Sequence, residues 1–342
     1  PFVCAANLFH SDLAVPLPPG LDSWRAAERY DTMRRVLERD YLEACRRGNV
    51  GLIVSSIFVE NQYVPEMALR MALRQVSALK ADIAECGDFC FCTSYAQVEQ
   101  AQGRGQIAVM LSFEDCIPIY NDLSLLPLFH ELGVRFMGLS WSRRNYACDG
   151  ASFRPVEMGT AGGLTEFGVA LVRACRSLGM LIDVSHLNER GFWDVAALVE
   201  GPFIASHSNA AALVPTERNL SDDQIREIVG RGGFIGMNAM NFLVHERDDC
   251  ETIAALVDHI DHIVGLGGGD CVGFGFDFND QILKYIPEDE LRLVPRVCRD
   301  VVHGHGEVPL VLDELRRRGY REEQVEKIGG GNFLRVLREN LS

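Results

Sequence analysis

The sequence predicts an α/β protein, a single (β/α)8 (TIM) barrel with extra C-terminal helices. Three observations carry the prediction. Eight short apolar runs recur along 342 residues, most of them separated by stretches with helical spacing. The runs are nearly continuous in apolar residues, as parallel strands buried on both faces are. No linker-like or low-complexity segment divides the chain, and the first run lacks the glycine-rich phosphate turn of an open doubly wound sheet. One domain over 1–342 is therefore expected.

Composition narrows the function. Hydrophobic residues make up 47% and charged ones 24%, enough apolar material for one large core. A formal charge of −15 argues against nucleic acid or an anionic membrane as partner. It leaves a small-molecule substrate open, because a metal or an arginine inverts the field inside a cleft. The 11 cysteines are odd in number and show no paired spacing. Cys86, Cys90 and Cys92 lack a CxxC spacing and are read as buried thiols, which favours a reducing, cytoplasmic setting. No apolar run reaches ~18 residues and no signal-peptide pattern opens the sequence, so neither a membrane anchor nor secretion is expected.

Taken in order, residues 3–9 form the first strand, which ends at His10-Ser11-Asp12 ahead of a proline-rich loop. Residues 23–47 have helical spacing and stop at Gly48, read as a C′ glycine. Strand two is 50–58. Pro65 suits a helix N1 position before an amphipathic stretch at 67–83. Strand three, 107–113, ends at Glu114. A short helix over 123–132 closes at Gly133, and strand four is 134–139. A polar loop at 140–163 leads to a helix over 165–178 that Gly179 ends. Residues 180–186 and 202–207 are short strands five and six, each finishing in Ser-His. Ser221 with Gln224 forms a capping box for a helix running to Gly230. Strand seven is 233–237, an amphipathic helix covers 252–266, and strand eight, 272–276, ends at Asp277. Residues 287–342 are expected as helices packed on the outside of the barrel.

The reactive side chains fall at strand ends: His10 and Asp12, Glu114, His186, His207 and Asp277. Barrels place their chemistry at that mouth. Two residues apart in an extended segment, His10 and Asp12 point the same way, ~6.5–7 Å apart at Cα, and can grip one cation. His186 and His207 would hold a second, with Glu114 bridging. Two cations ~3.5–4 Å apart would make a hydroxide between them that attacks a carbonyl. Asp277 remains as general base and then acid. Imidazole and carboxylate donors without thiolate suit two Zn2+ ions, with Mn2+ or Co2+ as substitutes. Each residue alone is a weak signal; six at five strand ends converge. His259 and His262 lie mid-helix and are read as a solvated face. His303 and His305 are read as loop residues, and Arg143 and Arg144 as solvated loop charges.

Several motifs resemble the membrane (renal) dipeptidase family of metallopeptidases. They are Gly163-Leu164-Thr165-Glu166-Phe167-Gly168, Leu178 through His186, Ser206-His207-Ser208-Asn209-Ala210, Glu217-Arg218-Asn219, Asp258-His259-Ile260-Asp261-His262, Gly275-Phe276-Asp277-Phe278 and Gly330-Gly331-Asn332-Phe333-Leu334-Arg335. The resemblance runs from the first strand to the C-terminal helix. It implies a binuclear zinc hydrolase of amidohydrolase-like fold that cleaves dipeptides, often with a D-residue on the C-terminal side, and that is often a homodimer. On the matching positions the metal ligands are His10, Asp12, Glu114, His186 and His207, Asp277 is the acid/base, and Arg218 binds the substrate carboxylate.

Two positions depart from the family pattern. Leu8 stands where a supporting Asp is expected, and Leu139-Ser140-Trp141 replaces a Leu-Thr-His whose histidine faces the scissile carbonyl. An indole N–H can donate one hydrogen bond but carries no charge, so Trp141 is expected to reshape the substrate. The competing readings are the same bimetallic site acting on a non-dipeptide amide, a lactam or a lactone, and a non-catalytic metal-binding scaffold. Asp277, which has no ligand role, weighs against the scaffold.

Overall fold

The structure is a computed structural model describing residues 2–6, 35–151, 161–247, 250, 252–279 and 299–341. Among the described residues, nine strands form one parallel sheet: β1 (Phe2–Ala6), β2 (Val50–Ile57), β3 (Phe89–Phe91), β4 (Ile107–Phe113), β5 (Val134–Gly138), β6 (Leu181–Asp183), β7 (Ile204–Ala205), β8 (Phe234–Met237) and β9 (Val272–Phe274). The order β1-β2-β4-β5-β6-β7-β8-β9 follows the sequence, and the sheet curls until β1 lies beside β9. A curled parallel sheet wrapped in helices is the expected fold class.

Strand β3 was not expected. It spans three residues, too few for a period to show, and pairs Phe89 with Ile107, Cys90 with Ala108 and Phe91 with Val109. Because β2 runs along the whole opposite edge of β4, β3 and β5 share the remaining edge end to end. Cys86 and Cys92 are buried and Cys90 is half-buried, all free thiols. Burial pushes the Cys92 thiol up to about 12, which leaves it inert.

The helices are α1 (Glu43–Arg47, after a π-helical turn at Leu37–Leu42), α2 (Ala68–Glu85), α3 (Tyr95–Gly103), α4 (Leu125–Leu132), α5 (Glu166–Ser177), α6 (Glu189–Leu198), α7 (Asp222–Gly230), α8 (Asn241–Val244), α9 (Ile253–Gly265), α10 (Val308–Arg317), α11 (Glu322–Glu326) and α12 (Asn332–Asn340). The Ser221–Gln224 capping box is formed, and Gly133 closes α4 at φ 109°. Gly48 is a correction: its φ of −79° is right-handed, and Asn49, at 52°, makes the left-handed turn. Glycine is needed at 48 because a Cβ there would lie 1.8 Å from the His305 carbonyl oxygen. Pro65 is another, lying in the turn ahead of α2, which begins at Ala68 behind Met67.

Strand side chains alternate between two cores, as the pleat requires. Ile53, Val109, Met137, Ile182, Ala205 and Ile235 face outward into the helical layer. Leu52, Val54, Ala108, Met110, Phe136, Leu181, Ile204 and Phe234 face inward, where they meet Phe333, Val336 and Leu337 of α12. The final helix therefore closes the lower end of the curled sheet rather than lying on its outside. Phe333 stacks 5.8 Å from Phe136 and 4.9 Å from Phe234, ring centre to ring centre. Above this plug the interior turns polar: Ser56, Ser112, Asp183 and Ser206 line a cavity of about 20 Å3, room for one water. Above that layer lies the mouth.

Candidate metal and active site

The inward parity of β4, set by Ala108, Met110 and Ser112, carries on to Glu114 and points its carboxylate into the mouth. The short β6 and β7 deliver His186 and His207 to the same place through the Ser-His turns that follow them. His186 adopts φ 67°, a conformation few non-glycine residues hold. Its carbonyl oxygen accepts from the Ala151 amide at 2.6 Å.

The three side chains are 4–5% exposed and converge. His186 Nε2 lies 2.9 Å from His207 Nε2 and 3.2 Å from Glu114 Oε1, and His207 Nε2 lies 3.7 Å from the same oxygen. The outer ring nitrogens are held by serines: His186 Nδ1 is 3.0 Å from Ser142 Oγ and His207 Nδ1 is 2.6 Å from Ser206 Oγ. Burial, reinforced by the Arg218 charge, pushes both imidazoles well below their ordinary pKa, so both are neutral at pH 7. Two neutral imidazole nitrogens and a carboxylate oxygen, all within 4.8 Å of one another, fit a divalent cation.

Arg218 is 3% exposed and lies under this cluster. Its Nη1 donates to Ser208 Oγ at 2.7 Å and its Nη2 to the His207 carbonyl oxygen at 2.8 Å, while Nε has no hydrogen-bond partner. Burial lowers its pKa to about 10, against the pull of Asp277, Glu114 and Asp183, which leaves it charged at neutral pH. Asp277, at φ 56°, accepts from Asn238 Nδ2 at 3.2 Å. Burial raises its carboxyl above the ordinary range, while Arg218 and the Asn238 bond hold it down. Trp141 lies at the rim, its ring 5.8 Å from the His186 ring and 5.4 Å from Phe58.

Glu114, His186, His207, Arg218, Asp277 and Trp141 are thus brought to one mouth. His10 and Asp12 lie outside the described residues; β1 runs parallel to its neighbour, so its carboxyl end opens at this same mouth. Four expectations are corrected. His259 is fully buried, not solvated: its Nδ1 accepts from the Ala210 amide at 3.1 Å and its Nε2 donates to the Val244 carbonyl at 3.0 Å. His262 is only partly exposed and pairs with Asp222 Oδ1 at 2.7 Å. His305 is fully buried between Tyr41 and Phe278. Arg143 is a partly buried strut, donating to Asp115 at 2.7 Å, Asn61 at 2.6 Å and the Val59 carbonyl at 2.8 Å. Asp183, Ser206, Ser142 and Asn238 were missed. The inward parity of Asp183 and Ser206, in register with Leu181 and Ile204, was the available signal.

A sequence model of the membrane dipeptidase family, peptidase family M19, matches residues 10–341. An uncharacterized protein in the pqqA 5′ region of Klebsiella pneumoniae is 34% identical, covering 80% of this chain and 98% of its own length. The dipeptidase ataJ of Aspergillus terreus is 29% identical, covering 86% of this chain and 75% of its own. Among solved structures, a dipeptidase AC described as a metallopeptidase of family M19 superposes with a TM-score of 0.82 at 28% identity, over 100% of this chain and 98% of that one. A metallopeptidase from Rhodobacter sphaeroides, liganded with a phosphinate mimic of the dipeptide L-Ala-D-Ala, gives 0.80 at 26% identity, over 100% and 99%.

Proposed function

The chain belongs to the membrane dipeptidase family of metal-dependent hydrolases, and from that premise we propose that it cleaves dipeptides, including ones with a C-terminal D-residue, at a binuclear zinc centre. The observation that carries this reading is the buried convergence of Glu114, His186 and His207 directly beside Arg218 and Asp277. His186 and His207 would hold one ion, His10 and Asp12 the other, with Glu114 between them. Ions so held supply Lewis acidity to the scissile carbonyl and lower the pKa of a water toward neutrality.

The chain's own groups do the rest. Ser208 and the His207 carbonyl fix the plane of Arg218, and its remaining N–H groups suit a substrate carboxylate in bidentate fashion. That contact places the scissile bond one residue from the substrate's C-terminus. Asp277 has a raised carboxyl steadied by Asn238, which suits it to take a proton and return it to the leaving nitrogen. The test is metal content together with hydrolysis of a panel of L,L- and L,D-dipeptides. Turnover lost to a chelator and restored by zinc is expected. A protein carrying two zincs that cleaves no member of the panel sinks the dipeptidase reading.

Trp141 favours a second reading of the same site. Its indole lies beside His186 and Phe58, an apolar wall that suits a substrate with an aromatic or bulky group, including a lactam, lactone or other amide. Under this reading Trp141→His restores a hydrogen-bonding imidazole and raises turnover of simple dipeptides by about 100-fold. Unchanged dipeptide kinetics in that variant count against it.

A further inference from the structure

Asp183 has no place in the ligand set or in the acid/base chemistry, yet it is 4% exposed and makes more polar contacts than a core carboxylate needs. It faces inward from β6, in the polar layer beneath the metal cluster. Its Oδ1 accepts from the Ser185 amide at 3.0 Å and from the Ser206 amide at 3.0 Å, so it ties together the two turns that carry His186 and His207. Its Oδ2 accepts from the Ser206 hydroxyl.

The direction of these bonds follows from counting hydrogens. A carboxylate only accepts, so the single hydrogen of the Ser206 hydroxyl goes to Asp183. The contact of 2.6 Å between Ser206 Oγ and His207 Nδ1 then requires the hydrogen to sit on Nδ1. A neutral imidazole with Nδ1–H keeps its lone pair on Nε2, the atom that faces Glu114 and His186. The geometry points to Asp183 as a positioning residue that, through Ser206, locks His207 in its metal-ligating tautomer.

This inference rests on the metal-centre reading above, and its test separates the two. Asp183→Asn is nearly isosteric. Its amide oxygen can still take the two backbone bonds, but its NH2 donates to Ser206. Of the two acceptors left to the hydroxyl hydrogen, His207 Nδ1 at 2.6 Å is nearer than Ser185 Oγ at 3.4 Å, and a turn to Nδ1 moves the ring hydrogen to Nε2. Ser206→Ala removes the relay without touching the clamp on the backbone, and Ser206→Thr preserves it.

The full-length chain, labelled with 15N at its histidine rings and treated with a chelator, reports the tautomer by NMR. Expected are Nδ1–H at His207 in the wild type and in Ser206→Thr, and Nε2–H in Asp183→Asn. Zinc affinity, read by competition with a chromophoric chelator, should fall about 10–100-fold in Asp183→Asn and Ser206→Ala and hold in Ser206→Thr. A carboxylate that served only to clamp the backbone would leave both Asp183→Asn and Ser206→Ala with wild-type zinc affinity, and that result overturns the proposal. So does Nε2–H in the wild type. If Asp183→Asn fails to fold, the Ser206 pair decides alone. Failure of the wild type to bind zinc at all rejects the metal reading, and the ring-nitrogen pattern still decides the tautomer.

Discussion

His186 and His207 each hold Nδ1 against a serine hydroxyl and turn Nε2 toward Glu114, whereas His259 uses both nitrogens on backbone groups. Partners, not burial, separate the two proposed metal ligands from a strut, since all three rings are buried. Helical spacing could have placed His259 correctly, because it stands three residues after Leu256 and four before Ile263 on the buried face of α9. The acidic neighbours Asp258 and Asp261 masked that position. At this scale the sharpest prediction concerns Asp277, whose surroundings pull its proton affinity in opposite directions. Asp277→Asn keeps the size and the Asn238 neighbour but cannot take a proton. It should retain bound zinc and lose about 10²- to 10⁴-fold in kcat. Zinc content unchanged with full activity would assign the acid/base role elsewhere.

The elements make the site by parity and by close approach. Glu114 was legible in the sequence because β4 is a seven-residue apolar run that stops at this carboxylate, and strand ends read in the same way gather around one mouth. Three-residue β3 carries no period, and the closure of the lower end by α12 is a long-range contact that helical spacing alone cannot express. Gly236 on β8 and Gly275 just past the end of β9 show how tightly the turn that carries His207 is held. A Cβ at Gly236 or Gly275 would fall 1.9 or 1.7 Å from the Ser206 carbonyl oxygen, closer than any real contact. The backbone that carries His207 is therefore seated against bare strands. Gly236→Ala must push that turn away, with an expected loss of about 1–3 kcal/mol in stability and weaker zinc binding. Equilibrium urea unfolding and chelator competition measure the two effects. A variant with wild-type values in both would show that the turn has slack there.

For the whole molecule, the net charge of −15 is spread along the chain, while two cations stand at the site: buried Arg218 against the His207 carbonyl and partly buried Arg143 against Asp115. Among the described residues, no helix is long and apolar enough to cross a membrane.

Global stability should carry a pH signature to which the buried histidines His186, His207 and His259 contribute alongside His305. This ring is fully buried between Tyr41 and Phe278, neither of its nitrogens has a hydrogen-bond partner, and burial lowers its pKa from 6.5 to about 4. Above pH 6.5 the ring is neutral in both folded and unfolded chains and contributes no pH dependence. As the pH falls below that value the unfolded chain takes up a proton that the folded chain refuses, so stability drops, and the loss levels off below about pH 4. At pH 5 the difference amounts to about 2 kcal/mol. His305→Phe removes the titration and keeps an aromatic ring against Tyr41 and Phe278. Wild type should therefore lose about 2 kcal/mol more than the variant between pH 7.5 and pH 5, read by urea unfolding. Parallel pH profiles for the two proteins would mean that the folded chain opens to protonate His305, and that the packing of α1 and its neighbours around this ring is looser than the contacts indicate.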